Sequence, residues 1–259
     1  MPAEPPARPL LRIALLGRGR MGRLIERLAP AHGAVTVLRL DGSNNRAAAG
    51  LTREALRGAD VAIDFSTSDA VMSGNLERLC HLGVDTVIGT TGWDDGREEL
   101  LECARQSGIG LVHGANFSVG VNAFYLVAAA AARAMARCNG YDLAAFESHH
   151  RGKRDAPSGT ALRLIEEVRA AGWSGEIDVT SQRTGHVPGT HELRWDSEAD
   201  TIAIRHEARS RDGFARGALA AAHWIRGRPG VYDFSECWQR VAAGGGDRVA
   251  RGPGGGDGL

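Results

Sequence analysis

A short apolar run that leads directly into three spaced glycines constrains the fold of this chain more than any other feature. Leu11–Leu16 has the length and composition of a buried parallel strand. It is followed by Gly17-Arg18-Gly19-Arg20-Met21-Gly22, and helical spacing then runs from Arg23 to Leu28. In such a loop the first glycine permits a tight turn, the second lets a pyrophosphate approach the backbone, and the third allows the helix to pack on the strand. Strand, loop and helix in this order predict a dinucleotide-binding unit that includes all six loop residues.

An acidic residue ends the second predicted strand, Val35–Leu40. Asp41 falls about 20 residues beyond the glycines, where a Rossmann fold places the carboxylate that binds the ribose hydroxyls. An aspartate that only caps the turn before Gly42 is the alternative interpretation. As a ribose ligand, Asp41 would repel a 2′-phosphate and favour NADH, but the choice between NADH and NADPH stays open at this point.

Three further apolar runs, Asp60–Phe65, Asp85–Ile88 and Ile109–His113, alternate with helical segments. This alternation predicts a doubly wound parallel sheet of the α/β class. Ligands bind such sheets at the carboxyl ends of the strands. The glycine loop and Asp41 both follow strand ends. Two further polar segments do so as well: Gly89-Thr90-Thr91-Gly92 and the segment around Asn116. A nucleotide site is therefore expected along this edge.

The pattern changes after residue 116. A long Ala-rich helix over Ser118–Cys138 precedes a strand over Tyr141–Ser148 and a helix over Thr160–Arg169. Three strands then follow without intervening helices, and they are Ile177–Thr184, Thr190–Trp195 and Thr201–Ala208. This succession predicts a second, α+β domain with a mixed or antiparallel sheet.

The predicted boundaries divide the chain into two domains with flexible ends. Residues 11–116 form the dinucleotide-binding domain, to which 227–243 return, and residues 117–226 form the second domain, ending in a helix over Phe214–Ile225. Residues 1–10 are predicted to be a flexible lead because they are rich in proline. Residues 244–259 are predicted to be a disordered tail, since glycine with scattered charges cannot bury a core.

The stretch from Glu147 to Ala161 carries the most distinctive chemistry. His149 and His150 can exchange protons near neutral pH, and Lys153 adds positive charge. Ser158 is a good N-cap for the following helix, whose first turn can hold an anion. The stretch therefore combines a proton donor with a site for a carboxylate or phosphate, although a basic surface loop before an ordinary helix would have similar composition.

Composition excludes several other classes of function. Lys+Arg and Asp+Glu both total 31, so no net charge recruits nucleic acid or an acidic membrane. The four cysteines contain no C-x-x-C pair, which argues against structural zinc and a disulfide framework and fits a reducing cytosol. Arg133 and Arg137 interrupt the Ala-rich run, which is too short and charged to span a bilayer. We expect a soluble, cytoplasmic protein without a bound metal.

The histidine stretch resembles the signature of the dihydrodipicolinate reductase (4-hydroxy-tetrahydrodipicolinate reductase) family, nicotinamide-dependent enzymes of the diaminopimelate route to lysine. The resemblance extends over nearly the whole chain, through Gly89–Gly92, through Ala115-Asn116-Phe117-Ser118-Val119-Gly120-Val121-Asn122, and through Phe214–Leu219. One departure is the glycine loop, which lacks an extra glycine that many relatives carry.

This resemblance implies specific roles for individual residues. His149 would donate a proton with Lys153 as its partner, His150 would bind substrate, and Ser158, Gly159 and Thr160 would hold a substrate carboxylate. Gly89, Thr90, Thr91, Ala115, Asn116 and Phe117 would lie along the nicotinamide side of an NADH or NADPH cofactor. The implied substrate is a small cyclic dicarboxylate, and the implied assembly is a homotetramer formed through the second sheet.

Two alternatives remain at the level of sequence. Another two-domain nicotinamide-dependent dehydrogenase, acting on an open-chain amino-acid imine, would share the nucleotide-binding half. A cofactor-binding regulatory protein without turnover is the second, although His149, His150, Lys153 and Thr160 give a complete set of site residues.

Overall fold

The computed structural model describes residues 9–244, so the predicted terminal segments 1–10 and 244–259 lie almost wholly outside the described range. In chain order the strands are β1 (Leu11–Leu16), β2 (Ala34–Leu40), β3 (Val61–Asp64), β4 (Thr86–Ile88), β5 (Gly110–His113), β6 (Asp142–His149), β7 (Ile177–Arg183), β8 (Thr190–Asp196), β9 (Thr201–Glu207) and β10 (Gly230–Asp233). The helices are α1 (Arg20–Leu28), α2 (Ser68–Ala70), α3 (Leu76–Leu82), α4 (Arg97–Ser107), α5 (Val119–Met135), α6 (Gly159–Ala170), α7 (Asp212–Ile225) and α8 (Phe234–Ala242).

Six parallel strands form the first sheet, in the order β10-β5-β4-β3-β1-β2. The central strands are buried on both faces, which explains why β1 and β3 are almost continuously apolar. β2 lies on one side of β1 and β3 lies on the other, so the order of the strands reverses at β1. The carboxyl ends of these strands are where a doubly wound sheet binds its ligand.

Four strands form the second sheet, in the order β7-β6-β8-β9. β6 pairs parallel with β7 and antiparallel with β8, which in turn pairs antiparallel with β9. Helices α5 and α6 pack on one face, where buried side chains such as Leu143, Leu164 and Trp195 form a separate core. The predicted fold class, a doubly wound parallel sheet plus an α+β domain with a mixed sheet, is confirmed.

Helix α7 departs from the predicted domain boundaries. It was assigned to the second domain, but its buried residues Ala218, Leu219 and Ile225 belong to the same core as β1 and β3 of the first sheet. It also packs against α1 and α8. The chain therefore returns to the first domain between β9 and α7, around residues 208–211, and not near Arg226. Its alanines and two glycines give a narrow helix that lies close to the sheet, and the sequence pattern alone does not indicate which of the two sheets it packs on.

Within residues 9–244, no helix has both the length and the apolar content needed to cross a lipid bilayer.

Candidate active site between the two domains

The glycine loop has the close backbone approaches that its sequence predicts. Gly17 has a positive φ of 90°, and a Cβ there would lie 2.3 Å from the carbonyl oxygen of Phe65. A Cβ on Gly22 would lie 1.8 Å from the carbonyl oxygen of Gly17. A Cβ on Gly19, the residue before α1, would meet nothing within 4 Å. The outer two glycines therefore permit tight packing, while the middle one leaves space at the amino end of a helix, as a pyrophosphate requires.

Asp41 lies at the end of β2, on the wall of a cavity of about 440 Å³ that Gly17, Arg18 and Gly19 also line. Its carboxylate accepts hydrogen bonds from the backbone N–H and hydroxyl of Ser43, at 2.9 and 2.5 Å. These bonds lower the pKa of Asp41, and the guanidinium of Arg18, 3.6 Å away, acts in the same direction. An ionised carboxylate here fits the hydroxyls of a ribose, and Arg39, at the same strand end, is paired with Glu26.

A buried acid connects this cavity with the next one along the sheet. Asp64, the last residue of β3, accepts hydrogen bonds from the backbone of Ser66 (2.8 Å), the amide of Asn75 (2.9 Å) and the hydroxyl of Thr90 (3.2 Å). Burial raises the pKa of Asp64, and these hydrogen bonds oppose that effect. Asp64 thus holds the loops after β3 and β4 at a fixed spacing.

A larger cavity, of about 800 Å³, lies between the two domains. One wall comes from the loops after β4 and β5 and contains Thr90, Thr91, Ala115 and Asn116. The opposite wall comes from the second domain. Its members include Tyr125, Lys153, Gly159, Thr160 and Arg163. Residues predicted for the nicotinamide end of a cofactor therefore face residues predicted to bind a carboxylate.

The wall from the second domain is built on the first turn of α6. The Ser158 hydroxyl accepts a hydrogen bond from the N–H of Ala161 at 3.2 Å, so Ser158 is the N-cap that the sequence predicts. Burial raises the pKa of Tyr125 to about 12, and a hydrogen bond with the Thr160 side chain opposes this rise. Tyr125 on α5 and Thr160 on α6 thus lie close together on this wall of the cavity.

Lys153 brings the positive charge to this wall. Its ammonium lies 2.8 Å from the carboxylate of Asp155, and its side chain is only partly exposed. Lys153 is also the only lysine in the sequence, because every other member of the Lys+Arg total of 31 is arginine. Lys153 therefore gives this cavity an ammonium group, which unlike a guanidinium can give up a proton.

His149 is the last residue of β6 and is buried, with 7% of its surface exposed. Its Nδ1 lies 3.3 Å from Oε2 of Glu147, and its ring meets the ring of His191 edge to face at 5.0 Å. Burial lowers the pKa of His149, whereas the charge of Glu147 raises it. Burial also lowers the pKa of His191, to about 4, so this histidine is neutral near pH 7. His149 lines neither the cavity of about 440 Å³ nor the one of about 800 Å³.

Glu147, His149 and His191 are the one group within residues 9–244 whose ligand atoms lie close enough, all within 4.8 Å of one another, to hold a metal ion. The charge of Glu147 is, however, already balanced by the Arg183 guanidinium, which lies 2.6 Å from its Oε1. A divalent cation would add two further positive charges beside Arg183 and Lys153 in a buried place. We therefore do not assign a metal site to this group.

The remaining predicted residues have different positions. His150 lines a separate cavity together with Arg20 and Arg211. Phe117 is buried against the rings of Phe65 and Phe234, at 6.0 and 4.5 Å between ring centroids. Its side chain therefore supports the loop from within and lines neither cavity of the nucleotide-binding edge. Met21 and Gly89 have similar supporting positions, Met21 against the core of the first domain and Gly89 against the ring of Phe65.

Sequence reasoning missed several residues of the site. His191 carries no motif, but it is opposite Glu147 in the register of β8 on β6, so strand pairing would have placed it there. Arg183 is opposite His149 in the register of β7 on β6. Tyr125, His113 and Asp233 line the cavity between the domains and had no signal in the sequence.

Comparison with known proteins identifies the family. The pattern described as dihydrodipicolinate reductase, N-terminus, matches residues 11–117, and the pattern for the C-terminus of the same protein matches residues 120–237. This chain belongs to the dihydrodipicolinate reductase family. Its relatives include proteins named 4-hydroxy-tetrahydrodipicolinate reductase from Christiangramia forsetii and Thiobacillus denitrificans. The first is 33% identical over 239 residues and the second 37% over 265, and each match covers 87% of this chain and 97% of the relative.

Solved structures agree with the family at the level of the fold. A dipicolinate-bound dihydrodipicolinate reductase from Paenisporosarcina sp. TG-14 superposes with a TM-score of 0.69 at 20% identity, covering 88% of this chain and 99% of that one. An amine dehydrogenase from Mycobacterium smegmatis gives a TM-score of 0.52 at 12% identity, covering 85% and 94%. The fold is therefore shared with enzymes of other names, and the reductase family is identified by sequence.

Proposed function

We propose that this chain reduces 4-hydroxy-tetrahydrodipicolinate to tetrahydrodipicolinate with NADH or NADPH, in the diaminopimelate route to lysine. The observation that carries the proposal is the cavity between the domains. It joins the nucleotide-binding edge of the first sheet, at Thr90 and Asn116, to Lys153 and Thr160 of the second domain. Family membership supplies the substrate class, since the relatives carry the reductase name.

The residues present fit a pyridine nucleotide. Open space at Gly19, the amino end of α1 and the ionised Asp41 would hold its pyrophosphate and ribose, and Thr90, Thr91, Ala115 and Asn116 would border its nicotinamide end. When bound, the cofactor supplies the hydride. The protein must then orient the substrate and deliver one proton for each hydride.

A cyclic dicarboxylate suits the opposite wall. The first turn of α6, at Gly159 and Thr160, presents the positive end of a helix dipole to the cavity, and Lys153 adds a full positive charge. A substrate whose carboxylate binds there would direct its ring toward the loops after β4 and β5. Arg163, which pairs with Glu167, lies on the same wall and favours a second negative group of the substrate.

His149 would donate the proton. Because the product lacks the 4-hydroxyl group, the substrate must first lose water, which leaves a C=C bond conjugated with the C=N bond. Hydride addition to this system moves electron density to the far atom, which must then be protonated, and a protonated imidazole ring can donate that proton. His149 and the proposed carboxylate site belong to the same domain, so we propose that rotation of the second domain, about the seams near Asn116 and residues 208–211, brings both over the nicotinamide end of the cofactor and excludes water.

We further propose that the protein is a homo-oligomer, a tetramer on the pattern of the family, and that it works in the cytoplasm. The face of the second sheet turned away from α5 and α6 carries an exposed Ala144 and a half-buried Phe146 in its centre strand, which supports an interface there. All four cysteines are free, as a reducing compartment requires. Light scattering at several protein concentrations tests the assembly, and a strictly monomeric protein would contradict it.

The test of the function is an assay of NADH and NADPH consumption with enzymatically generated 4-hydroxy-tetrahydrodipicolinate. We expect turnover with this substrate and none with open-chain 2-oxo acids plus ammonium. The matched control is the Thr160→Val variant, which keeps the shape of the cavity and should need more substrate for the same rate. Turnover of the open-chain substrates alone would assign the chain to the amino-acid dehydrogenases instead.

A further inference from the structure

Glu147 is the most connected side chain near the proposed proton donor, and the proposed function gives it no role. It lies in β6, 1% exposed. Its Oε1 accepts three hydrogen bonds, from the N–H of Ser158 (3.0 Å), the hydroxyl of Ser181 (2.8 Å) and the guanidinium of Arg183 (2.6 Å). The carboxylate is therefore fixed on one side by groups from the α6 cap and from β7.

The other oxygen of Glu147, Oε2, faces two histidine rings. Oε2 lies 3.3 Å from Nδ1 of His149 and 3.7 Å from Nε2 of His191, and neither Oε2 nor this Nδ1 has a partner with full hydrogen-bond geometry. Nε2 of His191 has a second neighbour, the hydroxyl of Ser158, at 3.3 Å. A small rotation of the His149 ring would let its Nδ1–H donate to Oε2. The opposite nitrogen, Nε2, would then be the one that exchanges a proton.

We propose that Glu147 is a positioning residue that fixes the Nδ1–H tautomer of His149 and holds this histidine and the first turn of α6 in one frame. This inference rests on the proposed function, because the tautomer matters only if His149 donates a proton. Glu147 bonds the backbone of Ser158 directly, so the site for the substrate carboxylate and the proton donor are joined through a single side chain.

Charge supports this role. Burial by itself would raise the pKa of Glu147, but the bonds from Ser158, Arg183 and Ser181 outweigh it and lower the pKa to about 2, so the group is ionised at any working pH. The groups that face His149 are Glu147 in its own strand, Lys153 and Asp155 in the following loop, Arg183 in β7 and His191 in β8. Glu147 and Asp155 raise the pKa of His149, whereas Lys153 and Arg183 lower it.

The substitution Glu147→Gln has a defined structural consequence. A backbone N–H and a guanidinium cannot accept hydrogen bonds, so the amide oxygen must take the place of Oε1, facing Ser158 and Arg183. The amide NH₂ then takes the place of Oε2, toward His149. It donates to Nδ1 and forces the neutral ring into the Nε2–H tautomer, and it disfavours the imidazolium.

The experiment combines ¹⁵N-histidine NMR of the full chain with the dependence of kcat on pH. In the unaltered protein we expect neutral His149 to carry its proton on Nδ1, with its signals identified by their loss in His149→Gln. In Glu147→Gln the proton should be on Nε2. Because His149 must be protonated to donate, kcat falls as pH rises through its pKa. Loss of the Glu147 charge lowers this pKa, so the fall should begin at lower pH. At a pH above the pKa of His149, kcat of Glu147→Gln should be lower than that of the unaltered protein by on the order of 10-fold to 10³-fold.

Two controls separate this role from simple support of the fold. Glu147→Asp keeps the charge and should keep the Nδ1–H tautomer of His149. Ser181→Ala removes one hydrogen bond to Oε1 without changing the charge, and it should keep the same tautomer. An Nε2–H tautomer in the unaltered protein would overturn the proposal even if Glu147→Gln does not fold. An unmoved pH dependence in a folded Glu147→Gln would overturn it while leaving reductase activity intact. Failure of the proposed function appears separately, as no turnover by the unaltered protein.

Discussion

Two glycines of the nucleotide loop should separate stability from cofactor binding. In Gly22→Ala the new Cβ would lie 1.8 Å from the carbonyl oxygen of Gly17, and real Cβ contacts are essentially never shorter than 3.0 Å, so α1 and the glycine loop must separate by about 1.2 Å. Strain of this kind costs about 1–3 kcal/mol. For a chain of this size each kcal/mol lowers Tm by about 2–4 °C, so we expect a loss of roughly 2–12 °C.

Gly19→Ala should have the opposite profile. Gly19 has φ −71° and ψ −164°, which alanine adopts readily, and its Cβ would meet no protein atom within 4 Å. The cost is that of a poorer N-cap, about 0.5 kcal/mol. The methyl group would nevertheless occupy the space that a pyrophosphate must enter. We therefore expect Tm to fall by about 1–2 °C and the Kd for NADH to rise on the order of 10-fold to 100-fold, where each tenfold is about 1.4 kcal/mol.

Thermal unfolding followed by circular dichroism and NADH titration by fluorescence measure both quantities on the same samples. Unchanged NADH affinity in Gly19→Ala would refute the assignment of the cofactor to this loop. An unchanged Tm in Gly22→Ala would refute the close packing of α1 against the glycine loop.

Three further substitutions test individual residues. Asp41→Ala removes the carboxylate that repels a 2′-phosphate, so the ratio of NADPH to NADH affinity should rise; calorimetry showing strong NADPH preference in the unaltered protein would contradict this. Lys153→Arg should lower kcat about as much as Lys153→Ala, since arginine keeps the charge but cannot readily give up a proton; near-normal kcat in Lys153→Arg would show that charge alone suffices. Thr160→Val should mainly raise KM, because a carboxylate contact present equally in ground and transition states is uniform binding; a fall in kcat at unchanged KM would argue against that role.

Much of the fold could be predicted because local pattern and tertiary structure agree. β1 and β3 are apolar since the sheet buries them on both sides, and the strands of the second sheet lie close to the predicted segments of the chain. Helix α7 was misplaced because its small residues suit either sheet, and only long-range packing against α1 and β3 decides between them. No local sequence signal reports that choice.

The candidate site was predicted less completely, for a similar reason. Residues in local motifs, such as Gly19, Thr90 and Thr160, line the two cavities of the candidate site. His191 and Arg183 reach Glu147 only through the register of neighbouring strands, which a linear pattern does not contain. Phe117 belongs to a motif yet points into the core, because a motif can be retained to shape a loop as well as to bind a ligand.

The most direct test of the account is kcat of His149→Gln, measured beside His150→Gln and the exposed control His81→Gln. If His149 donates the proton, its loss should lower kcat by roughly 10²–10⁴-fold. The Kd for NADH should stay within about twofold, because His149 and the nucleotide-binding edge lie in different domains and a change of twofold is only about 0.4 kcal/mol. His81→Gln should match the unaltered protein. Near-normal kcat in His149→Gln together with a collapse in His150→Gln would contradict the assignment of the proton donor.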